Sequence, residues 1–152
     1  MTTNFQNCRL DLSFEASESE ASRAIAAVHH SLMKLGLPAD RHGDAKIAIA
    51  EAVNNVVEHA YAGLPPGQVQ LQGFADIRGL EIRILDSGKP LPGLRVPDGI
   101  PASVDTSIGN LPEGGFGWFM IRKLSDDIQY ERRSGQNRLS LWFYFPAPEE
   151  VP

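Results

Sequence analysis

The 152-residue chain is 42% hydrophobic and 22% charged, with a net charge of −5, which fits one soluble domain over residues 1–152 with an ordinary core. The acidic balance argues against duplex nucleic acid as a main partner, and a lone cysteine, Cys8, excludes an internal disulfide framework and any Cys-based zinc cluster. No apolar run approaches the roughly 20 residues that cross a bilayer, and the start "MTTNFQNCRLDLSFE" has no charged segment followed by an apolar one, so the expectation is a reduced, cytoplasmic protein with no membrane partner.

In chain order, "CRLDLSFE" alternates and reads as a strand. "SESEASRAIAAVHHSLMKLGLP" reads as a helix, with Ser and Glu near its start and Gly36 and Pro38 beyond its end. A second helix is expected from Asp40 to Tyr61, closed by "AGLPPG". Gln68 to Asp76 and Leu80 to Asp86 read as a hairpin. The stretch from about 88 to 115 is rich in Gly and Pro, too long for an ordinary connection, and reads as a functional lid or a disordered loop. Phe116 to Leu124 returns to helix, "DIQYERRS" and "NRLSLWFYF" form a last strand pair, and the tail 146–152 reads as frayed. The order β-α-α-β-β-loop-α-β-β predicts an α/β sandwich: a mixed, mostly antiparallel sheet with helices on one face.

Three stretches could carry chemistry. In "EAVNNVVEHAY" two asparagines interrupt an otherwise good helix, although Asn is a poor helix former. The helical period places Ile49, Ala50, Val53, Val56, Val57 and Ala60 on an arc that can pack on the sheet, and Glu51, Asn54, Asn55, Glu58 and His59 on the other side. Glu51 and Asn55 are four apart and therefore neighbours. A carboxylate there can accept a proton from a hydroxyl or orient a water, and an amide oxygen suits Mg²⁺; the alternative is a solvated helix face. The second stretch, "EIRILDSGKP", ends a strand in Asp86-Ser87-Gly88. Asp86 can accept from an exocyclic amine and Gly88 lets backbone approach a flat ring, or the three are an Asp-x-Gly turn. In the third, "EGGFGWFMIRKL", Gly114, Gly115 and Gly117 enter an apolar helix, whose N-terminus favours phosphate; the alternative is a hinge. Trp118, Phe119, Ile121 and Leu124 read as core, and "ERR" at Glu131 to Arg133 as a solvated strand end. No His lies at metal-binding spacing from another His or Cys.

Taken together, a Glu-x-x-x-Asn helix, an Asp-x-Gly strand end 35 residues after Glu51 and a Gly-x-Gly helix entry resemble the GHKL superfamily of ATP-binding domains, which includes gyrase, histidine kinases and mismatch-repair ATPases. Within it, "EAVNNVVEHAY … DSGKP … EGGFGWFMIRKL" is most similar to the bacterial anti-sigma-factor serine/threonine kinases, over roughly Phe5 to Phe145. The resemblance implies a Bergerat-type fold and Mg²⁺-ATP as cofactor. It implies Glu51 as general base for a substrate hydroxyl, Asn55 as Mg²⁺ ligand, His59 near the phosphates, Asp86 on the adenine amino group with Gly88 flanking the base, and Gly115, Phe116 and Gly117 at the phosphates. The implied partners are a STAS-type anti-sigma-factor antagonist as protein substrate and a sigma factor or other regulator held in the alternative complex; a homodimer also accords with the resemblance. Where many relatives continue the Asp-x-Gly turn with an aromatic and an acid, this chain has Leu91-Pro92. Two other readings remain at this stage. One is a nucleotide-binding partner-switching module with little phosphoryl transfer. The other is a histidine-kinase ATP-binding domain, for which the stretch before Asp40 offers only His29 and His30.

Overall fold

The computed structural model describes residues 8–99 and 115–146. Strand β1 (Cys8–Glu15) is followed by helices α1 (Glu18–Lys34) and α2 (Ala39–Asn55), and α2 runs on into a π-helical turn, Val56–Ala60. The hairpin β2 (Gln68–Asp76) and β3 (Gly79–Asp86), a short 3₁₀ turn at Pro92–Leu94, helix α3 (Gly115–Leu124) and the hairpin β4 (Asp127–Arg133) and β5 (Gln136–Tyr144) complete the fold. Residues 100–114, most of the expected lid and including Gly114, and the tail from residue 147 lie outside the described residues.

The sheet order is β1-β2-β3-β5-β4, and every described pairing is antiparallel. Alternation decides which face is buried. Val69, Leu71, Ile82, Ile84, Leu139, Leu141 and Phe143 share one core with Ala24, Val28 and Leu32 of α1 and Ala48, Ile49, Ala52 and Val53 of α2. The small residues of α2 let it lie close to the sheet and to α3. Asp11, Gln70, Gln72, Arg83 and Arg138 fall on the opposite face, away from the helices. No helix among the described residues is long and apolar enough to cross a membrane.

The ends of the elements obey local chemistry. Ser17 caps α1 by accepting from Glu20 N at 3.3 Å, and Glu18 and Glu20 sit in the first turn, where the helix dipole favours them. Gly36, with φ of +69°, takes the left-handed conformation just beyond α1. Arg41, near the start of α2, bridges Asp44 and Asp126 at 2.7 Å each, tying α2 to the junction of α3 and β4. Ser134 and Gly135 have φ of +52° and +77°, which is the demand of a two-residue hairpin turn. That turn fixes the register Arg132↔Asn137 and Tyr130↔Leu139.

The second helix departs from the expected single run to Tyr61. Its last turn is π-helical, with Tyr61 N donating to Val56 O at 3.3 Å. The loosened turn presents Ala60 O to Lys89 N at 2.7 Å. The end of α2 is thereby bonded to the end of β3, 29 residues later in the chain.

Candidate functional site

A cavity of about 390 Å³ opens between the end of α2, the end of β3, α3 and the β4–β5 hairpin. Asn55, Val56, His59, Asp86, Leu91, Trp118, Tyr130 and Asn137 are among its lining residues. Its size lies within the range of small-molecule sites, and mostly apolar walls with a few converging polar groups are what such sites present.

Asp86 ends β3 and is 3% exposed. Gly88 N donates to its Oδ1 at 2.8 Å and Asn137 Nδ2 donates to the same oxygen at 2.9 Å. Among the described residues nothing donates to Oδ2. Burial pushes the Asp86 carboxyl above its usual range, against the pull of those two hydrogen bonds and of the Arg132 charge. Tyr61 holds the turn from behind: its hydroxyl accepts from Ser87 N at 3.0 Å and donates to Gln68 O at 3.1 Å.

Gly88 is required by a close backbone contact. A Cβ there would stand 2.5 Å from Ala60 O, so the glycine allows the turn to meet the π-helical turn, and Gly88 is not among the cavity's lining residues. Gly88→Ala is therefore expected to cost about 1–3 kcal/mol of folding stability, because the atoms its Cβ meets first, Ala60 O and C, are backbone. Urea unfolding checks this.

The two asparagines of α2 have different fates. Asn54 is exposed, whereas Asn55 is 9% exposed, lines the cavity and has no hydrogen-bond partner for Nδ2 among the described residues. The expectation that Asn55 shares the solvent side with Glu51 is thus corrected. The buried arc is rotated to include Ala45, Ala48, Ala52 and Asn55, because α3 covers that flank of α2, and Ala50 and Val57 are only half-buried. A buried amide without a partner is costly, and here it faces a cavity that could hold its partner.

Glu51 is half-buried beside the first turn of α3. A Cβ at Gly117 would lie 2.9 Å from Glu51 Oε2 and 3.6 Å from the Asn55 amide atoms. Glycine at 117 thus lets the carboxylate and the helix entry meet. Gly115 opens α3, Phe116 is exposed and Gly117 is buried. His59, in the π-helical turn, is exposed at the cavity rim, its Nε2 3.9 Å from Glu58. His29, in contrast, lies away from the cavity lining and packs on His42, ring centroids 4.8 Å apart.

Four lining or bracing roles escaped the sequence reading. Trp118 is core, as expected, but one side of it also walls the cavity. Tyr130 and Asn137 face inward from β4 and β5, and Arg132 is no solvated strand end: its guanidinium donates to Gly88 O at 2.6 Å and to Asn137 Oδ1 at 3.0 Å. The signal was strand parity, since Ile128, Tyr130 and Arg132 alternate on one face, as do Asn137, Leu139, Leu141 and Phe143. The lid root is also held. Leu91 N donates to Tyr130 Oη at 3.0 Å, and Arg122 of α3 donates to Pro97 O and Val96 O at 2.7 and 2.9 Å.

The cavity thus carries a buried carboxylate, Asp86, and an amide without a partner, Asn55, which stands with Glu51 against Gly117 in the first turn of α3. The histidine kinase-like ATPase domain family matches residues 14–143. The chain belongs to that family, in the branch of the RsbW serine-protein kinases. The serine-protein kinase RsbW of Oceanobacillus iheyensis is 32% identical over 121 residues, covering 78% of this chain and 74% of that protein. The serine-protein kinase RsbW of Bacillus cereus strain AH820 is 34% identical over 108 residues, covering 70% of this chain and 66% of the relative. The chain thus spans about two thirds to three quarters of the length of these relatives. The fold is shared with the RsbU and RsbW domains of Rv1364c from Mycobacterium tuberculosis, with a TM-score of 0.62 and 18% identity, covering 93% of this chain and 34% of that one. It is shared also with a chain of the SiaB–SiaC complex from Pseudomonas aeruginosa, with a TM-score of 0.57 and 14% identity over 92% of both chains.

Proposed function

We propose that this domain is a Mg²⁺-ATP-dependent serine/threonine protein kinase and anti-sigma factor. It phosphorylates a STAS-type anti-sigma-factor antagonist and, in the alternative complex, sequesters a sigma factor or similar regulator. The observation that carries the reading is the placement of Glu51 Oε2 and the Asn55 amide against Gly117 at the start of α3, with Asp86 lining the same cavity as Asn55. The naming of its relatives as serine-protein kinases supports it.

The residues present fit the nucleotide and its metal. Asp86 keeps Oδ2 for the adenine amino group, and Val56, Leu91, Trp118 and Leu139 supply apolar walls. Asn55 Oδ1 would hold Mg²⁺, and the buried Nδ2 without a partner would find an acceptor among the phosphate oxygens. The metal would supply neutralisation of phosphate charge as the transferring group separates. Gly115 and Gly117 leave the helix entry bare for the same anionic oxygens. Glu51 orients the substrate hydroxyl and takes its proton as the new O–P bond forms and the γ-phosphoryl bond to ADP breaks.

Labelled ATP, Mg²⁺ and the STAS-type protein encoded nearest to the gene test this: label is expected on a serine or threonine. Tight partner binding without transfer would favour a partner-switching module instead. Asn55→Ala is expected to abolish the difference in nucleotide affinity measured with and without Mg²⁺. A difference unchanged from wild type by calorimetry would remove Asn55 from metal binding.

A further inference from the structure

A row of polar side chains crosses three strands behind the base end of the cavity. Register aligns Asp86 of β3, Asn137 of β5 and Arg132 of β4. From that row, and resting on the kinase reading above, we infer that Asn137, held by Tyr130 and Arg132, is a positioning residue that aims the Asp86 carboxylate at an adenine amino group and fixes the root of the lid in the same act.

The orientation of the Asn137 amide is settled by chemistry. Its Oδ1 faces two donors, the Tyr130 hydroxyl at 2.5 Å and Arg132 at 3.0 Å, and an arginine cannot accept. Its Nδ2 faces acceptors only: Asp86 Oδ1 at 2.9 Å, Lys89 O at 2.9 Å and, more distantly, Gly88 O at 3.5 Å. All four bonding directions of the amide are engaged and the residue is 4% exposed, so it cannot turn without orphaning buried groups.

Two consequences follow for the site. The bonds from Asn137 and Gly88 N both converge on Oδ1, which fixes the carboxylate plane and leaves Oδ2 as the acceptor. Asn137 has no donor left for a ligand, so the polar group it turns toward the purine is the Asp86 acceptor alone. The same amide, through Lys89 O, and its two supports, Arg132 on Gly88 O and Tyr130 on Leu91 N, hold residues 88–91. Base recognition and lid root therefore share one side chain.

The charged and titratable groups around Asp86 are few. Arg132 approaches from β4, while Lys89 beyond β3 and His59 from the π-helical turn line the same cavity. Arg132 supplies the favourable charge acting on the buried carboxyl, and Asn137 supplies the strongest bond to its ionised form. Removing either should make Asp86 harder to ionise.

The test uses the full chain with Asn137→Leu and, as a milder change, Arg132→Gln. Carbon-detected NMR reads the ionisation midpoint of Asp86 without nucleotide, and calorimetry compares ATP with inosine triphosphate, which presents a carbonyl where adenine has its amine. The Asp86 midpoint is expected to rise in both variants. ATP affinity of Asn137→Leu is expected to fall about tenfold or more, and its preference for ATP over inosine triphosphate to collapse. Asp86 midpoints and base preference equal to wild type would overturn the inference. Should Asn137→Leu fail to fold, the Arg132→Gln midpoint decides alone. Wild type that binds neither nucleotide would instead overturn the kinase reading, and with it the purine half of this inference.

Discussion

Asp86→Asn is expected to lose ATP affinity by about a hundredfold or more while folding at least as stably as wild type. The two effects have one cause. In the wild type Oδ1 accepts from Gly88 N and Asn137 Nδ2. An asparagine at 86 must keep its oxygen there, because both neighbours are donors, and this forces its NH₂ into the place of Oδ2. Two donors would then face each other across an adenine amine, and a site built for one hydrogen bond rejects a partner that cannot complete it by a large factor. Inosine triphosphate presents an acceptor at that point, so the variant should prefer it. On the stability side, burial raises the carboxyl's midpoint, so the folded protein holds that proton more tightly than the unfolded chain. Wild-type stability must then fall, relative to the variant, as pH rises from about 3.9, the unfolded midpoint, through the raised folded one. Above that window the penalty is complete, and below it the penalty is absent. Urea unfolding of both proteins across pH 3 to 8 reads the difference directly. Equal ATP affinity in the two proteins would remove Asp86 from base recognition.

The same residue shows how far sequence alone can reach. Asp86 was legible because a carboxylate followed two residues later by glycine at a strand end is a local pattern, and the extents of β1, α1 and both hairpins were legible from alternation and punctuation. Asn137 and Arg132 were not, since they matter only once Arg132↔Asn137 and Asp86↔Asn137 are in register across strands 51 residues apart. Local reading of "ERRSGQN" sees charges near a turn and assigns them to solvent. The helical period put Asn55 on the wrong side of α2 for a related reason. An ideal wheel has no knowledge that α3 covers one flank, and the buried arc kept Ile49, Val53 and Val56 but widened to take in Asn55. Gly88 carried the opposite lesson. Its conformational freedom was legible from the Asp-x-Gly turn, but the contact that demands it, with Ala60, arises only because α2 ends in a π-helical turn.

Glu51→Gln is expected to lower the rate of phosphoryl transfer to a protein substrate by about 10² to 10⁴, the usual reach of a positioned general base, with ATP affinity close to that of wild type. The separation of the two effects follows from where Glu51 stands. It is not among the residues lining the cavity, and its carboxylate lies beside Gly117 at the first turn of α3, where a phosphate would be attacked rather than where a purine would be held. No hydrogen bond or ion pair among the described residues engages it, so the amide should leave folding stability nearly unchanged. A carboxylate that is half-buried, unpaired and next to a helix entry retains its acceptor capacity for a ligand. Gly117→Ala supplies an independent test of the same geometry. Its methyl group would stand 2.9 Å from Glu51 Oε2, and since that atom ends a flexible side chain, the fold can absorb the clash by moving the carboxylate away. That variant should therefore also slow transfer without unfolding the protein. If Glu51→Gln transferred phosphate at the wild-type rate in a quench-flow measurement, the proton would have to leave by another route and the catalytic assignment of Glu51 would fail. If it lost ATP binding in parallel with transfer, Glu51 would be holding the nucleotide rather than activating the hydroxyl.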